Sequence, residues 1–289
     1  MKGILLAGGT GSRLRPLTHV LNKHLLPVYD KPMIYYSLSG LMLAGIREIL
    51  IISSPRDIPQ FQALLGTGQQ WGLKFSYATQ AEPWGVAQAL LIAEDFLNGS
   101  AAALALADNL FYGQSLSPKL RDAAQLNSGA KVFACEVKDP ERFGVVEFSA
   151  DGKVISLEEK PETPRSNFAV GGLYFYDSTA VERVKNLHPS ARGEIEITDL
   201  NQSYLDDDAL GCERLGRGYL WADVGTPESL LKTSNLIEAL ETSQGFKIAC
   251  LEEIAFHQGW ITAEQVKSAS EQNANTPYGS YLKSLLTNP

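Results

Sequence analysis

Cysteine and histidine are scarce in this sequence. Its 289 residues include three cysteines and four histidines. Cys135, Cys212 and Cys250 lie far apart along the chain, which favours reduced thiols over a disulfide framework. The histidines show no HxH or HExxH spacing, so a transition-metal cluster is not predicted. No Ser–His–Asp or Cys–His arrangement for nucleophilic catalysis is apparent either.

Long apolar runs and runs of positive charge are also missing. No stretch approaches the roughly 20 apolar residues of a membrane-spanning helix, and the first apolar run is too short for the core of a signal peptide. We therefore expect a cytoplasmic protein that does not bind membranes. The formal net charge is −8, and binding to nucleic acid is not expected without a Lys/Arg-rich stripe.

The chain does contain short apolar runs that alternate with helical patterns. Five runs bounded by turn residues predict buried strands over residues 3–6, 48–52, 75–78, 102–107 and 131–137. Apolar residues at Ile34, Leu38 and Leu41 predict a helix that ends near Gly45. The alternation predicts a Rossmann-like α/β fold, in which helices flank a mostly parallel sheet.

The second half of the chain departs from this alternation. Two apolar runs flank Asp151-Gly152, a pair typical of tight hairpin turns, so an inserted antiparallel β-hairpin is predicted. After Gly245 the pattern indicates only short helices. We therefore predict a main domain over residues 1–245 and a C-terminal helical appendage over residues 246–289.

The loop after the first strand does not match either of two common phosphate-binding motifs. A P-loop needs Gly-Lys-Ser/Thr, which does not follow these glycines. A dinucleotide-binding loop needs a third glycine where Leu14 stands. The second mismatch, together with the lack of an obvious proton-transfer histidine, argues against an NAD-dependent dehydrogenase.

The same loop is nevertheless suited to a polyphosphate. Gly8, Gly9 and Gly11 allow the backbone to approach phosphate oxygens closely. Arg13 then offers a planar fork that can bridge two oxygens, and Lys23 adds a compact charge. Prolines in the loop reduce the entropy lost on binding. A turn without a ligand would not need this combination.

Motifs over nearly the whole chain resemble one family. G-x-G-x-R-L-x-P-x-T, followed by K-x-L-L-P-V-Y-D-K-P-M, resembles the signature of the sugar-1-phosphate nucleotidyltransferases. The segments ADNLFYG, DPERFGVVEF, ISLEEKP, ARGEIEITDLN and WADVGT resemble further family segments. The resemblance implies a fold of the nucleotide-diphospho-sugar transferase type. Residues 1–245 would form the catalytic domain with sugar-binding insertions, and residues 246–289 an oligomeric or regulatory segment.

Within this family, the chain is most similar to short-form members that act on dTTP and glucose 1-phosphate. The implied reaction transfers a thymidylyl group to α-D-glucose 1-phosphate, giving dTDP-glucose and pyrophosphate on the route to dTDP-rhamnose. The attacking sugar phosphate is already anionic, so no general base is required. Catalysis then depends on holding two anions together and neutralising their charge.

Two acids are candidate ligands for Mg²⁺, the expected cofactor. Asp108 follows a predicted strand at the edge where parallel sheets bind ligands, and Mg²⁺ typically takes one or two protein carboxylates with phosphate oxygens and water. Asp223 precedes a helix, where a capping role would explain it equally well. The resemblance implies that both acids hold the metal.

The remaining site residues come from the resemblance. Catalytic roles are implied for Arg13, Lys23, Asp108, Lys160 and Asp223. Nucleotide binding is implied for Leu6, Gly8, Gly9, Gly11, Gln80 and Gly85. Sugar-phosphate binding is implied for Gly144, Glu159, Lys160, Val170, Tyr174 and Arg192.

The choice of nucleotide is open at two positions. A glutamine amide such as that of Gln80 can pair with both a carbonyl and an N–H of a pyrimidine. Trp84 and Val86 stand where the family usually has an acid and a leucine, so a uridylyl- or cytidylyltransferase is the alternative. A non-catalytic sugar-nucleotide sensor is less well supported, because the loop cations and both acids are present.

The C-terminal segment resembles that of family members that form homotetramers with a second, regulatory nucleotide site. Residues in the matching segments are Arg217, Gly218, Glu253 and His257. His257 stands where arginine is usual. We therefore predict a homotetramer and, at these residues, feedback regulation.

Overall fold

A single large sheet forms the centre of the computed structural model, which describes residues 1–287. The strands are β1 Lys2–Leu6, β2 Pro27–Val28, β3 Lys31–Pro32, β4 Glu48–Ser53, β5 Lys74–Thr79, β6 Ala102–Leu106, β7 Asn109–Gly113, β8 Ala130–Glu136, β9 Gly144–Phe148, β10 Val154–Glu159, β11 Phe168–Tyr176, β12 Leu210–Leu215 and β13 Tyr219–Asp223. The helices are α1 Met33–Leu43, α2 Ile58–Leu65, α3 Gln88–Ile92, α4 Glu94–Leu97, α5 Leu116–Ala124, α6 Ala180–Lys185, α7 Ile197–Asp206, α8 Pro227–Gln244, α9 Leu251–His257, α10 Ala263–Gln272 and α11 Pro277–Ser284.

The large sheet has nine strands and is mostly parallel. Its main path is β10-β9-β11-β6-β1-β4-β5, and β8 joins β11 to β12. Strand β11 runs antiparallel to β6, β8 and β9, and β10 runs antiparallel to β9. The other seven strands therefore point the same way. The α/β fold predicted from the sequence is confirmed.

The predicted strands and the first helix lie where the apolar runs placed them. Strands β1, β4 and β6 are adjacent and parallel, and their side chains are almost entirely buried because helices cover both faces. In α1, Ile34, Leu38 and Leu41 are fully buried. The backbone after this helix turns at Gly45, whose φ of +85° favours glycine.

The inserted hairpin is also present. Strands β9 and β10 pair antiparallel, with Gly152 at a φ of +86° in the turn. A separate two-stranded sheet, formed by β7 and β13, was not predicted. It pairs Asn109 with Asp223, which places Asp223 at the end of a strand next to Asp108.

The C-terminal helices pack against the main body of the protein. Leu251, Ala255 and Leu282 belong to the same apolar core as Leu5 of β1. Glu252 accepts hydrogen bonds from Trp71 Nε1 at 3.0 Å and from Tyr278 Oη at 2.5 Å. The predicted boundary at residue 245 thus falls within one continuous core and stays a prediction.

No helix within residues 1–287 combines the length and the apolar character that a bilayer-spanning segment requires.

Candidate active site

Two adjoining pockets at the carboxyl edge of β1 and β6 contain most of the predicted site residues. The first, which we call the glycine-loop pocket, is lined by residues predicted to bind nucleotide, which are Leu6, Gly8, Gly9, Gln80 and Gly85. The charged side chains of Lys23, Asp108 and Glu194 also line it. The second, the hairpin pocket, is lined by residues predicted to bind sugar phosphate, which are Gly144, Glu159, Lys160, Val170 and Tyr174. The charged side chains of Arg13, Arg142 and Asp223 also line it. Val86 and Leu106 line both pockets, which are therefore continuous.

Two of the residues predicted for catalysis or substrate binding, Gly11 and Arg192, line neither pocket. A Cβ added at Gly11 would lie 3.0 Å from Thr18 Cγ2 and 3.3 Å from Lys23 Cβ, and Gly11 has a φ of +58°. Gly11 therefore shapes the loop and allows Lys23 to approach it. Arg192 lies beside the hairpin pocket, where its guanidinium contacts Glu159 and Glu196.

The Gln80 side chain is buried at the end of β5 and held in one orientation. Its Nε2 donates to Gln88 Oε1 at 2.7 Å and to Gly85 O at 3.4 Å. A Cβ added at Gly8 would lie only 2.6 Å from Gln80 Oε1. Gly8 is thus required for the close approach of the loop and this amide, and Gln88 orients the amide from behind.

Asp108 and Lys23, which both line the glycine-loop pocket, form an ion pair. Burial alone would raise the pKa of Asp108, but the Lys23 ammonium holds this pKa well below its ordinary value. Asn109 Nδ2 donates to Asp108 Oδ1 at 2.9 Å, which orients the carboxylate. The Asn109 side chain is itself fixed, because its Oδ1 accepts from Gly172 N and Trp221 Nε1 at 2.9 and 2.7 Å.

Asp223 brings a second carboxylate to the junction of the pockets. Val224 N donates to Asp108 O at 2.9 Å, so the strand that ends at Asp223 is tied to Asp108. Burial and the nearby Asp108 carboxylate raise the pKa of Asp223 to about 6. The two carboxylates, one from each pocket, therefore repel one another, and a cation shared between them would lower their energy.

Two arginines face Asp223. A Cβ added at Gly225 would lie 2.8 Å from the Arg13 guanidinium, so glycine at this position makes room for it. Arg142 Nη2 lies 4.0 Å from Asp223 Oδ2, and its guanidinium lies 5.2 Å from the centre of the Phe143 ring. Arg142 was not assigned a role from the sequence, although it lies within DPERFGVVEF, a segment that carries the resemblance.

The donor set fits a divalent cation that is completed by ligand oxygens. Within residues 1–287 there is no group of three or more His, Cys, Asp or Glu side chains placed to hold an ion. Two carboxylates, one from each of the adjoining pockets, instead suit a divalent cation such as Mg²⁺, which takes few protein ligands and several phosphate or water oxygens.

The hairpin pocket has an acid with three polar neighbours. Glu159 accepts from Thr198 Oγ1 at 2.5 Å, and its carboxylate lies 3.2 Å from Lys160 Nζ and 3.3 Å from Arg192 Nη2. Lys160 has a φ of +46°, an unfavourable value for a side chain of this size. Its backbone N–H donates to Phe143 O at 2.9 Å, which holds it there. Such strain occurs most often at functional sites.

The predicted regulatory residues do not converge on one pocket of the chain. Glu253 lines a surface pocket that also includes Tyr112 and Lys247. His257 Nε2 lies 3.8 Å from Glu253 Oε1. Arg217 lines a different pocket, beside Arg214. Gly218 approaches the first of these pockets through its carbonyl oxygen, which would lie 2.9 Å from a Cβ at Gly113.

Comparisons with known proteins agree with this arrangement. A family model described as nucleotidyl transferase matches residues 2–239. The chain is 53% identical over 286 residues, covering 99% of both sequences, to a protein named glucose-1-phosphate thymidylyltransferase from Neisseria meningitidis serogroup A. It is 55% identical over 284 residues to a protein of the same name from Xanthomonas campestris pv. campestris, covering 98% of this chain and 96% of that one.

A solved structure agrees as well. A crystal structure from Bacillus anthracis, described as a glucose-1-phosphate thymidylyltransferase in complex with sucrose, superposes with a TM-score of 0.76 at 44% identity. The match covers 82% of this chain and 94% of that one.

Proposed function

This chain belongs to the nucleotidyl transferase family, and from that premise we propose that it transfers a thymidylyl group from dTTP to α-D-glucose 1-phosphate. The products are dTDP-glucose and pyrophosphate. The observation that carries the proposal is the pair of continuous pockets that meet at Asp108 and Asp223. The near full-length identity to proteins named glucose-1-phosphate thymidylyltransferase supports the choice of both substrates.

The glycine-loop pocket is proposed to bind dTTP. The Gln80 amide, fixed by Gln88, would pair with the thymine, and the Gly85 backbone would lie beside the base. The Gly8 and Gly9 backbone would lie against the phosphates, and Leu6 would close the apolar end of the pocket. Gly11 would contribute indirectly through the shape of the loop.

The hairpin pocket is proposed to bind glucose 1-phosphate. A carboxylate can accept hydrogen bonds from two neighbouring hydroxyls, which suits Glu159 to the sugar ring. Gly144, Val170 and Tyr174 would line the ring. Lys160 and Arg192 lie next to Glu159 and would hold the phosphate.

The reaction follows from charge and position. A phosphate oxygen of glucose 1-phosphate attacks the α-phosphorus in line, the bond from that phosphorus to the bridging oxygen breaks, and pyrophosphate leaves. Asp108 and Asp223 would hold Mg²⁺, which neutralises charge on the α-phosphoryl and leaving groups when bound. Arg13 and Lys23 orient the phosphates and offset their negative charge, and Arg142 adds a further cation beside Asp223.

A competition assay tests the proposed function. The protein is incubated with Mg²⁺, glucose 1-phosphate and equal concentrations of dTTP, UTP and CTP, and the sugar nucleotides are separated. We expect dTDP-glucose to predominate and pyrophosphate to appear in equal amount. Predominance of UDP- or CDP-glucose would overturn the nucleotide assignment, and the absence of pyrophosphate would overturn the reaction. The Asp108→Ala variant supplies the inactive control.

The assembly and regulation predicted from the sequence are part of the proposal. The protein would be a cytoplasmic homotetramer, and Glu253, His257, Arg217 and Gly218 would contribute to a second nucleotide site from neighbouring subunits. The separation of these residues within one chain supports a site shared between subunits. Inhibition by dTDP-rhamnose that is not purely competitive with dTTP would support this site. A purely competitive pattern would oppose it.

A further inference from the structure

Arg192, proposed above to bind the sugar phosphate, already lies among three carboxylates. Its Nη2 is 2.8 Å from Glu196 Oε1, 3.3 Å from Glu159 Oε1 and 3.5 Å from Glu194 Oε2. A guanidinium surrounded by this much negative charge attracts an incoming phosphate weakly. A phosphate that approaches this edge of the Arg192 guanidinium therefore competes with the three carboxylates for it.

The three carboxylates are held with different firmness. Glu196 is buried and also accepts from Ser190 Oγ at 2.7 Å. Glu159 accepts from Thr198 Oγ1 at 2.5 Å. The Glu194 carboxylate has no partner besides Arg192 among residues 1–287, and its side chain is 42% exposed. Glu194 is therefore the carboxylate that moves at the lowest cost, while Glu196 continues to orient Arg192.

Glu194 and Arg192 connect the two pockets. Glu194 lines the glycine-loop pocket, whereas Arg192 contacts Glu159 of the hairpin pocket. Their contact thus links a residue that would face the nucleotide to a residue that would face the sugar. A change at one pocket can reach the other through a single ion pair.

The loop that carries this pair is attached to the loop that would face the base. Ile195 N donates to Trp84 O at 2.7 Å, and Ala87 N donates to Ile195 O at 3.3 Å. A Cβ added at Gly85 would lie 2.3 Å from Ile195 O, so the two backbones are in close contact. Glu194 is therefore held next to the glycine-loop pocket.

A triphosphate in the glycine-loop pocket would act on both members of the pair. Its negative charge repels the Glu194 carboxylate and attracts the Arg192 guanidinium, and both effects weaken the contact between them. Because Glu194 is the most weakly held of the three carboxylates, it is the one that the triphosphate displaces. With Glu194 displaced, one carboxylate fewer competes with the sugar phosphate for the Arg192 guanidinium beside the hairpin pocket.

We infer that Glu194 withholds Arg192 from the sugar phosphate while the glycine-loop pocket is empty, and that nucleotide binding releases it. Glu194 is thus a positioning residue that couples the two substrates. The inference rests on the proposed function, because it takes the two pockets to bind a nucleoside triphosphate and a sugar phosphate. It requires each substrate to tighten the binding of the other by the same factor.

Calorimetric titrations of the full-length protein test the inference. Glucose 1-phosphate is titrated into the protein in a buffer that contains Mg²⁺, first without nucleotide and then with saturating α,β-methylene dTTP. In this analogue the bridge between the α- and β-phosphorus cannot be cleaved. The ratio of the two Kd values is the coupling factor. We expect about tenfold coupling in the unmodified protein and about twofold or less in Glu194→Gln, because sugar-phosphate binding without nucleotide becomes tighter.

Glu94→Gln is the matched control. Glu94 contacts Lys185 at 2.5 Å on the protein surface, away from both pockets, so this variant should keep the full coupling factor. An unchanged coupling factor in Glu194→Gln would overturn the inference. The coupling factor is also unchanged if the substitution tightens, or weakens, sugar-phosphate binding equally with and without nucleotide. Such a result would indicate only altered charge or a local structural defect.

A failure of the inference about Glu194 can be distinguished from a failure of the proposed function. If the unmodified protein makes no dTDP-glucose from dTTP and glucose 1-phosphate, the proposed function fails. If it does so at a normal rate and Glu194→Gln keeps the original coupling factor, only the role of Glu194 fails. Circular dichroism of each variant shows that the fold is retained.

Discussion

The Lys23 ammonium contacts the Asp108 carboxylate in a pair with only 15% and 12% of the two side chains exposed. This contact joins the loop after β1 to the end of β6, 85 positions later in the chain. It also holds the predicted metal ligand ionised, although burial alone would raise the pKa of Asp108. Asp108 is therefore already ionised before any ligand enters.

Replacing Asp108 with asparagine should impair catalysis much more than folding. Asparagine has the same shape and can still contact Asn109, but it lacks the charge proposed to hold Mg²⁺. We expect kcat to fall by at least about 100-fold, the scale of losing one electrostatic group from an active site. Pyrophosphate release measured over a range of Mg²⁺ concentrations checks this result.

Asp122→Asn is the control for that variant. Asp122 forms an ion pair with Lys131 on the surface, and 70% of its side chain is exposed. Exposed pairs of this kind contribute little, so activity should stay near that of the unmodified protein. A kcat for Asp108→Asn within a few-fold of the original value would contradict the metal assignment.

Replacing Gly8 with alanine should weaken nucleotide binding. The added methyl group would lie 2.6 Å from Gln80 Oε1 and must displace the amide proposed to bind the base. We expect KM for dTTP to rise about tenfold, the scale of one lost hydrogen bond of about 1.5 kcal/mol, while KM for glucose 1-phosphate changes little. Steady-state kinetics with each substrate varied in turn separates the two effects.

Gly216→Ala is the matched substitution. A Cβ at Gly216 meets nothing within 4 Å, and its backbone needs no positive φ. Its KM for dTTP should therefore be unchanged. Equal effects of the two substitutions would show that the approach of Gly8 to Gln80 does not control nucleotide binding.

Asp223 should destabilise the metal-free protein at neutral pH. Its pKa is raised from an ordinary value near 3.8 to about 6 by burial and by the Asp108 carboxylate. The folded state therefore binds the proton on Asp223 more tightly than the unfolded chain does. The stabilisation that comes from this bound proton is lost as the pH rises from about 4 to 6. Asp223→Asn should raise the free energy of unfolding at pH 7.5 by about 1 kcal/mol or more.

Urea denaturation in EDTA at pH 5 and pH 7.5 measures this effect. The gain in Asp223→Asn should be larger at pH 7.5, and added Mg²⁺ should stabilise the unmodified protein but not the variant. If Asp223→Asn were less stable than the original at pH 7.5 without metal, the repulsion between the two acids would be disproved.

His24 should make the fold sensitive to acid. The ring is buried, with Nδ1 2.7 Å from Asn22 Oδ1, and burial together with the Lys23 ammonium lowers the pKa of His24 to about 3. The unfolded chain takes up a proton near the ordinary value of 6.5. Stability is therefore lost as the pH falls below that value, by about 1.4 kcal/mol per pH unit for this one group.

The comparison that isolates this effect is between His24→Gln and His188→Gln, which alters an exposed histidine. The free energy of unfolding from urea titrations at pH 7 and pH 5 should fall less in His24→Gln than in the unmodified protein. His188→Gln should behave like the unmodified protein. Identical pH dependence in all three proteins would exclude a buried neutral His24.

Several parts of the fold were predictable because their causes are local. The strands β1, β4 and β6 are continuous apolar runs, and burial on both faces requires nothing more of a sequence. Helix α8 begins where Thr226 accepts from Ser229 N, within one turn of chain. The hairpin turn needs a glycine with positive φ, which Gly152 provides.

The small sheet of β7 and β13 could not be predicted in the same way. Each of its strands is only five residues long, and neither shows an alternation of polar and apolar residues from which it could be recognised alone. They pair Asn109 with Asp223, more than a hundred positions apart, and the pairing depends on how the surrounding chain has packed. The roles of Arg142 and Glu194 were missed for the same reason, since their neighbours are distant in sequence.

By itself the sequence determined the central strands, the first helix, the hairpin turn and the glycine loop, because backbone preference and burial act over a few residues. Its motifs determined the family. Only the tertiary structure decided that Arg13 lies in the hairpin pocket with Asp223, that Gly11 shapes the loop instead of lining a pocket, and that Arg192 is surrounded by carboxylates. Electrostatic interactions depend on distances in space, and these distances are set when remote segments pack together.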